Sequence, residues 1–212
     1  ASDVYKRQTP NGVKVSIALE EMGLAYEPHL VTLKEEDVKS AAFLSLNPNN
    51  KIPVIVDPNG PDGPISIFES GAILLYLAEK SGKFLGSTGA EKAKITQWLM
   101  FQMGGLGPML GQMGFFYKFA GSEIEDPRPR ERYRNEAIRL LAVVDKELDG
   151  QDWIAGDYSI ADMAIAPWLN ALEFYGTKDV VGYHNLKNIP AYVERFYARP
   201  AVAKGKSIPN PA

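Results

Sequence analysis

The stretch from Asn47 to Lys80, NPNNKIPVIVDPNGPDGPISIFESGAILLYLAEK, constrains the fold more than any other part of the chain. It alternates element and breaker at close spacing. Val54-Ile55-Val56 is a short apolar run, and Ile65-Ser66-Ile67-Phe68 is a second β-prone run. Between them, Asp57 to Pro64 holds three Pro, two Gly, two Asp and an Asn, which is dense turn chemistry. Ile73, Leu74, Leu77 and Ala78 then fall at helical spacing, and Ser70 before them is a preferred N-cap type. Pro53 requires that the backbone before it be extended or the Ile52–Pro53 bond cis. The first amides of a helix opening at Ser70 have no partner within that helix, so they can hold an anion. An edge beside an anion-ready helix start points to a small-molecule site.

Upstream, Ala1 to Gln8 is the place for a first strand, although only Val4 and Tyr5 favour one. Thr9-Pro10-Asn11-Gly12 is turn chemistry. Val15, Ala18, Leu19 and Met22 recur as one helix face, and Gly23 stops it. Tyr26 to Leu33 reads as a second strand, which Pro28 marks as an edge. Lys34 to Ser40 reads as a charged loop and Ala41 to Leu46 as a short helix. The order is βαβαββα, a mixed sheet with helices on its faces.

The composition changes at Lys83 to Ala90. Residues 84–90 are read as a linker between a first domain, 1–83, and a second, 91–212. No further strand pattern follows. Ala93 to Met103, Met109 to Ala120 and Arg130 to Asp149 read as helices. Gly104-Gly105-Leu106-Gly107-Pro108 interrupts them, and inside a helix each Gly costs ~1 kcal/mol and Pro ~3 kcal/mol. The pattern suggests a kink or a close backbone approach. Ser159-Ile160-Ala161-Asp162 has capping-box form and opens a buried helix through Leu172. Pro190 and Arg199-Pro200 bracket another helix. The fold class is α/β followed by all-α.

Composition removes several function classes. The 212 residues suit two small packed units, and 45% hydrophobic content supplies a core. A net charge of -3 shows no basic excess, so nucleic acid is not an expected partner. No apolar run reaches the ~18 residues of a membrane span. The opening ASDVYKRQ has no apolar core, so a secretory leader is not expected. Cys is absent, which excludes disulfides and any chemistry on a protein thiol. A reducing cytoplasm is the expected location. His29 and His184 read as structural, and no metal site is expected.

A thioredoxin-like βαβαββα unit, Ile-Pro before its third strand, Glu-Ser before its third helix, and an all-helical part with Ser-x-x-Asp together resemble the cytosolic glutathione transferases. The resemblance spans nearly the whole chain. Thr9-Pro10-Asn11-Gly12-Val13-Lys14-Val15, and the unusual run from Trp98 to Gln112, WLMFQMGGLGPMLGQ, are similar to the bacterial Nu class. That resemblance implies a homodimer that binds glutathione or its disulfide, reduces disulfide bonds and conjugates weakly. The class is more distantly similar to a fungal prion-forming regulator of nitrogen metabolism. Two other readings therefore stay open: conjugation of glutathione to electrophilic xenobiotics, and a non-catalytic glutathione-binding regulatory domain.

The resemblance also implies roles. The backbone of Ile52, set by Pro53, would pair with the cysteinyl unit as if with an added strand; otherwise Pro53 only shapes a turn. Ser70 would hold the γ-glutamyl carboxylate, a role compatible with capping, and charge-assisted bonds of this kind contribute ~1.5–3 kcal/mol. Glu69 would face the γ-glutamyl ammonium. Lys51 would reach the glycyl carboxylate, or is a solvated loop lysine. Arg132 would point at the ligand from the helical domain, or makes a surface ion pair. With no Cys in the protein, the reacting sulfur is glutathione's own. Lowering its pKa by about two units requires ~2.7 kcal/mol of preferential anion stabilisation. Thr9, through its hydroxyl, and Asn11, through an N–H, would supply it at the start of the first helix. Tyr5 is the alternative donor; four residues before Thr9, it reads as strand packing. Three features depart from the family: the polar Lys6-Arg7-Gln8, Val38 where Gln is common, and the aromatic Met113-Gly114-Phe115-Phe116-Tyr117, which either lines a second-substrate pocket or packs the core.

Overall fold

The computed structural model describes residues 1–209. The chain divides into two compact units. One joins Ala1–Leu85 with the segment that starts at Ala198; the other is Gly86–Tyr197. The described segment that starts at Ala198 thus belongs with the first unit, whereas the sequence placed everything beyond residue 90 in the second.

The first unit carries β1 (Ser2–Lys6), α1 (Pro10–Met22), β2 (Tyr26–Leu30), α2 (Glu35–Val38), α3 (Ala41–Leu46), β3 (Val54–Gly60), β4 (Gly63–Phe68) and α4 (Ser70–Ser81). The strand order is β2-β1-β3-β4. β1 runs parallel to β2 and antiparallel to β3, and β3 is antiparallel to β4. Pro28 lies on an edge strand, where its missing N–H costs no ladder bond.

β1 forms despite its polarity because each face finds its own partners. Val4 pairs with Ile55 in register, and both are fully buried. α1 and α4 pack against each other and add Ile17, Leu19, Ile73 and Leu77 to the buried set. On the opposite face, Tyr5 stacks on His29 with centroids 4.8 Å apart. Tyr5 also packs with Val38, Ile52 and Phe68 against Val31, Phe43 and Val54. Lys6 is fully buried, and its ammonium donates to the carbonyl of Ile208. Burial lowers its pKa to about 7. The first strand thus has a floor that no local apolar pattern announces.

Two local readings change. The charged segment after Leu33 is not all loop, since Glu35–Val38 forms a helical turn and Val38 joins the apolar cluster. The strands also run further into the turn-rich stretch than its Pro and Gly suggest. Gly60 pairs with Gly63, which leaves Pro61-Asp62 as the turn, and an irregularity between Asp57 and Gly60 absorbs Pro58. Asp57 fixes this bend from inside. Its carboxylate accepts from Tyr76 at 2.7 Å, from the Asn59 N–H at 2.9 Å, and from Lys80.

The second unit carries α5 (Gly89–Phe101), α6 (Gly107–Lys118), α7 (Pro127–Glu147), α8 (Ile160–Tyr175) and α9 (Ile189–Tyr197). α5 begins inside the expected linker because Thr88 and Glu91 form a capping box. Residues 102–106 make a π-helical turn that leads straight into α6. Some of the glycines here, Gly107 and Gly114 among them, serve close approach to α8, whereas a Cβ on Gly104 would meet nothing within 4 Å. A Cβ on Gly107 would lie 3.1 Å from the Trp168 indole nitrogen, and one on Gly114 would lie 2.7 Å from the Tyr175 ring. The aromatic run divides: Phe116 stacks on Tyr133 at 5.5 Å, while Phe115 is exposed. Asp145 accepts N–H bonds from Lys187, Asn188 and Ile189 at 2.8–3.0 Å, which fixes the start of α9. No helix among the described residues is long and apolar enough to cross a membrane.

In the first unit, α10 (Pro200–Gly205) packs on α1. Arg199 forks onto Glu21 at 2.6 and 3.0 Å, and Ser16 Oγ donates to the Gly205 carbonyl at 2.6 Å.

Candidate functional site

Three sequence-marked segments meet the sheet at the ends of its elements. They are the Thr9 turn after β1, the Lys51-Ile52-Pro53 stretch before β3, and Glu69-Ser70 after β4.

Thr9 is the N-cap of α1, with extended backbone, and its Oγ1 accepts from the Gly12 N–H at 3.0 Å. A hydroxyl that accepts this bond still has its own proton to donate. Gly12 is required here, because a Cβ would lie 1.9 Å from the Arg7 carbonyl oxygen. Asn11 is half-buried in the first turn. Tyr5, the alternative donor, is engaged with His29 and the apolar cluster.

The Ile52–Pro53 peptide is cis. Pro53 is buried and the Ile52 side chain packs into the cluster around Val31 and Phe43, so this segment is anchored from below. Asn47 Nδ2 donates to the Lys51 carbonyl at 2.6 Å and holds the approach to it. The Lys51 side chain is exposed.

Glu69, not Ser70, occupies the N-cap of α4; Ser70 is the first helical residue. Glu69 makes no side-chain cap bond, is exposed, and has φ 70° and ψ 114°. A non-glycine residue at positive φ costs of order 1–3 kcal/mol and tends to mark ligand sites. Ser70 is 3% exposed, and Lys14 Nζ lies 3.2 Å from its Oγ. Burial pushes the Lys14 ammonium well below the ordinary lysine range, and the nearby Glu69 carboxylate opposes that shift.

The sequence reading passed over Lys14. The available signal was a lone cation between Val13 and Val15 in a helix that is buried from Gly12 to Leu19. Arg132 lies in the other unit, an exposed side chain on α7 near Glu136. A depression of about 640 Å³ lined by Leu19, Glu20, Tyr26, Lys204 and others is elsewhere on the first unit and contains none of these residues.

Residues 9–80 match the family model for the glutathione S-transferase N-terminal domain, and residues 110–200 match that for its C-terminal domain. The chain is 46% identical over 205 residues to the disulfide-bond oxidoreductase YfcG of Escherichia coli, covering 95% of this chain and 93% of the relative. It superposes with a TM-score of 0.97 on a glutathione transferase from Pseudomonas putida solved with one glutathione disulfide per subunit. That pair is 55% identical and covers 99% of this chain and 92% of the other. A second, from Pseudomonas fluorescens, was solved with two glutathione molecules; TM-score 0.96, 54% identity, 98% and 93% covered. The chain belongs to the glutathione S-transferase family.

Proposed function

We propose that the protein is a glutathione-dependent disulfide-bond reductase. One observation carries the reading: a chain without Cys is similar along its length to a disulfide-bond oxidoreductase. The reacting sulfur must then come from the ligand. Relatives solved with glutathione disulfide, or with two glutathione molecules, support a cycle that uses two of them.

In this cycle the first glutathione thiolate attacks one sulfur of the substrate disulfide. A mixed disulfide forms and one substrate thiolate leaves, taking up a proton. A second glutathione thiolate attacks the glutathione sulfur of the mixed disulfide. Glutathione disulfide forms and the second substrate thiol leaves. Two glutathione thiols are thus oxidised for each disulfide reduced.

Thr9 donates its hydroxyl proton to the glutathione sulfur, and Asn11 supplies a further N–H at the α1 start. Ile52 pairs with the cysteinyl backbone beside Pro53. Ser70 holds the γ-glutamyl carboxylate and Glu69 its ammonium. Lys51 supplies a cation to the glycyl carboxylate, and Arg132 is the ligand residue that the resemblance to the Nu class implies for the helical domain. The reading includes a homodimer and a cytoplasmic location, where reduced glutathione is kept abundant; light scattering of the purified chain checks the first.

The test is reduction of hydroxyethyl disulfide by glutathione, run beside conjugation of chlorodinitrobenzene. Disulfide reduction that exceeds conjugation is the expected result. Conjugation alone would move the protein to the transferase reading. Glutathione binding without either reaction would make it a binding domain.

A further inference from the structure

We propose that residues 205–209, which close α10 and follow it, are a strap that positions the Thr9 hydroxyl, and that Lys6 is the positioning residue that ties the Thr9 turn to this strap. The inference deepens the thiol role proposed for Thr9 and rests on it. Lys6 is fully buried, and its ammonium donates to the Ile208 carbonyl. Burying a lysine is costly where an apolar side chain would pack freely, and burial lowers its pKa to about 7. What the lysine adds at this place is the tie.

The turn from β1 to α1 is tied to the strap on both sides. Before it, beyond the Lys6 bond, Gln8 donates to the carbonyls of Ser207, at 3.3 Å, and of Pro209. After it, Ser16 Oγ donates to the Gly205 carbonyl at 2.6 Å. Gly205 lies so close to α1 that a Cβ would sit 2.7 Å from the Ile17 backbone nitrogen. The strap is itself held. Val202 is fully buried, and Lys204 pairs with Glu20 at 2.8 Å. The N–H groups of Lys206, Ser207 and Ile208 donate back to the carbonyls of Val202, Lys204 and Gly205 at 3.0–3.3 Å. One bonded piece of chain thus links the end of β1 to the first turns of α1, and Thr9 lies between them.

The turn has no slack with which to absorb a change. The Thr9 N–H donates to the Arg7 carbonyl at 2.8 Å, and that carbonyl oxygen is the atom a Cβ on Gly12 would meet at 1.9 Å. Movement of Lys6 or Gln8 therefore passes to Thr9. A hydrogen bond weakens steeply as its angle falls toward ~120°. A small displacement then costs the hydroxyl part of its hold on a thiolate, while the ligand's other attachments stay.

The experiment titrates the thiol of bound glutathione through thiolate absorbance at saturating ligand. Wild type, Lys6→Met, Gly205→Ala, Gln8→Ala and Thr9→Ala are compared, each beside its affinity for S-methylglutathione, which has no thiol to ionise. Lys6→Met and Gly205→Ala loosen the strap from its two ends. Each is expected to raise the bound thiol's pKa by about half a unit to one unit, part of the shift that Thr9→Ala gives. Gln8→Ala, at an exposed tie, should move it less. Affinity for S-methylglutathione should stay within about twofold of wild type, the usual scatter of independent effects. Lys6→Met should add little in the Thr9→Ala background, because Lys6 acts through that hydroxyl. Asp162→Ala, in the second unit, should lower stability and leave the thiol pKa in place.

A thiol pKa that keeps its wild-type value in Lys6→Met and Gly205→Ala while Thr9→Ala raises it overturns the strap. So does a Lys6→Met rise that is as large without the Thr9 hydroxyl as with it, or one that Asp162→Ala reproduces, which marks a merely structural lysine. Should Lys6→Met not fold, Gly205→Ala and Gln8→Ala read the same titration. An unshifted pKa in Thr9→Ala refutes the role given to Thr9, and the strap with it. A wild type that binds no glutathione refutes the glutathione reading itself, a distinct outcome.

Discussion

The starts of α4 and α8 solve the same problem in opposite ways. Each must satisfy first-turn amides that have no partner within the helix. At α8 the protein closes the start with its own groups. Ser159 accepts from the Ala161 N–H at 3.3 Å. Asp162 accepts from the Ser159 N–H at 2.9 Å, the Ile154 N–H at 3.0 Å and the Tyr192 hydroxyl at 2.8 Å. All of this is buried. At α4 the N-cap residue, Glu69, turns an exposed carboxylate outward from a positive-φ backbone and makes no cap bond. The group placed beneath it is a buried lysine, Lys14, whose Nζ lies 3.2 Å from Ser70 Oγ. A helix start filled by its own side chains holds a fold together. One left without a side-chain cap, as α4 is, matches the anion-holding role proposed for Ser70.

The largest expected effect breaks the closed start. Asp162→Ala leaves two amides and a hydroxyl without their acceptor and should cost about 3–5 kcal/mol in urea unfolding, with the glutathione affinity of the folded fraction unchanged. The same carboxylate should make stability depend on pH. Burial raises its pKa from 3.8 to about 6, so the folded state keeps a proton that the unfolded state has released. Its contribution is fully present below pH 3.8 and is lost as pH rises through about 6. Asp162→Asn should flatten the stability profile across this window relative to wild type.

Changes at the open start should read out in binding. Ser70→Ala is expected to weaken glutathione by about 10- to 100-fold in calorimetry, with a much smaller change in unfolding than Asp162→Ala. An unchanged affinity would remove Ser70 from the carboxylate. The smallest effect is expected at Lys51, whose exposed charge is screened. Lys51→Ala should cost no more than about 1 kcal/mol of binding, and added salt should erase the difference.

The two starts were also unequally legible. Ser159-x-x-Asp162 is a local code: donor and acceptor lie three residues apart, so the spacing alone announces the cap. The α4 start was legible only in part. Ser70 stood out, but its place as first helical residue depends on the backbone turn at Glu69. Lys14 is 56 residues from Ser70, and only the packing of α1 on α4 brings them together. Lys6 is the same lesson on a larger scale. Its polarity argued against a proper first strand, yet its partner is the Ile208 carbonyl, 202 positions away. In the run Gly104-Gly105-Leu106-Gly107-Pro108, Gly107 makes the close approach the pattern suggests, while a Cβ on Gly104 would meet nothing within 4 Å. The α8 neighbour of Gly107, Trp168, could not be known before the fold brought the two together.

The proposed roles divide labour within the first unit: the α4 start would bind the ligand, and the Thr9 hydroxyl at the α1 start would lower the pKa of its thiol. The direct measurement is the pKa of glutathione's thiol when bound, titrated through thiolate absorbance in wild type, Thr9→Ala and Ser70→Ala at saturating ligand. The expected result is a wild-type value about two units below that of free glutathione, returned most of the way by Thr9→Ala and left in place by Ser70→Ala. A bound thiol that ionises alike in wild type and Thr9→Ala would contradict the account.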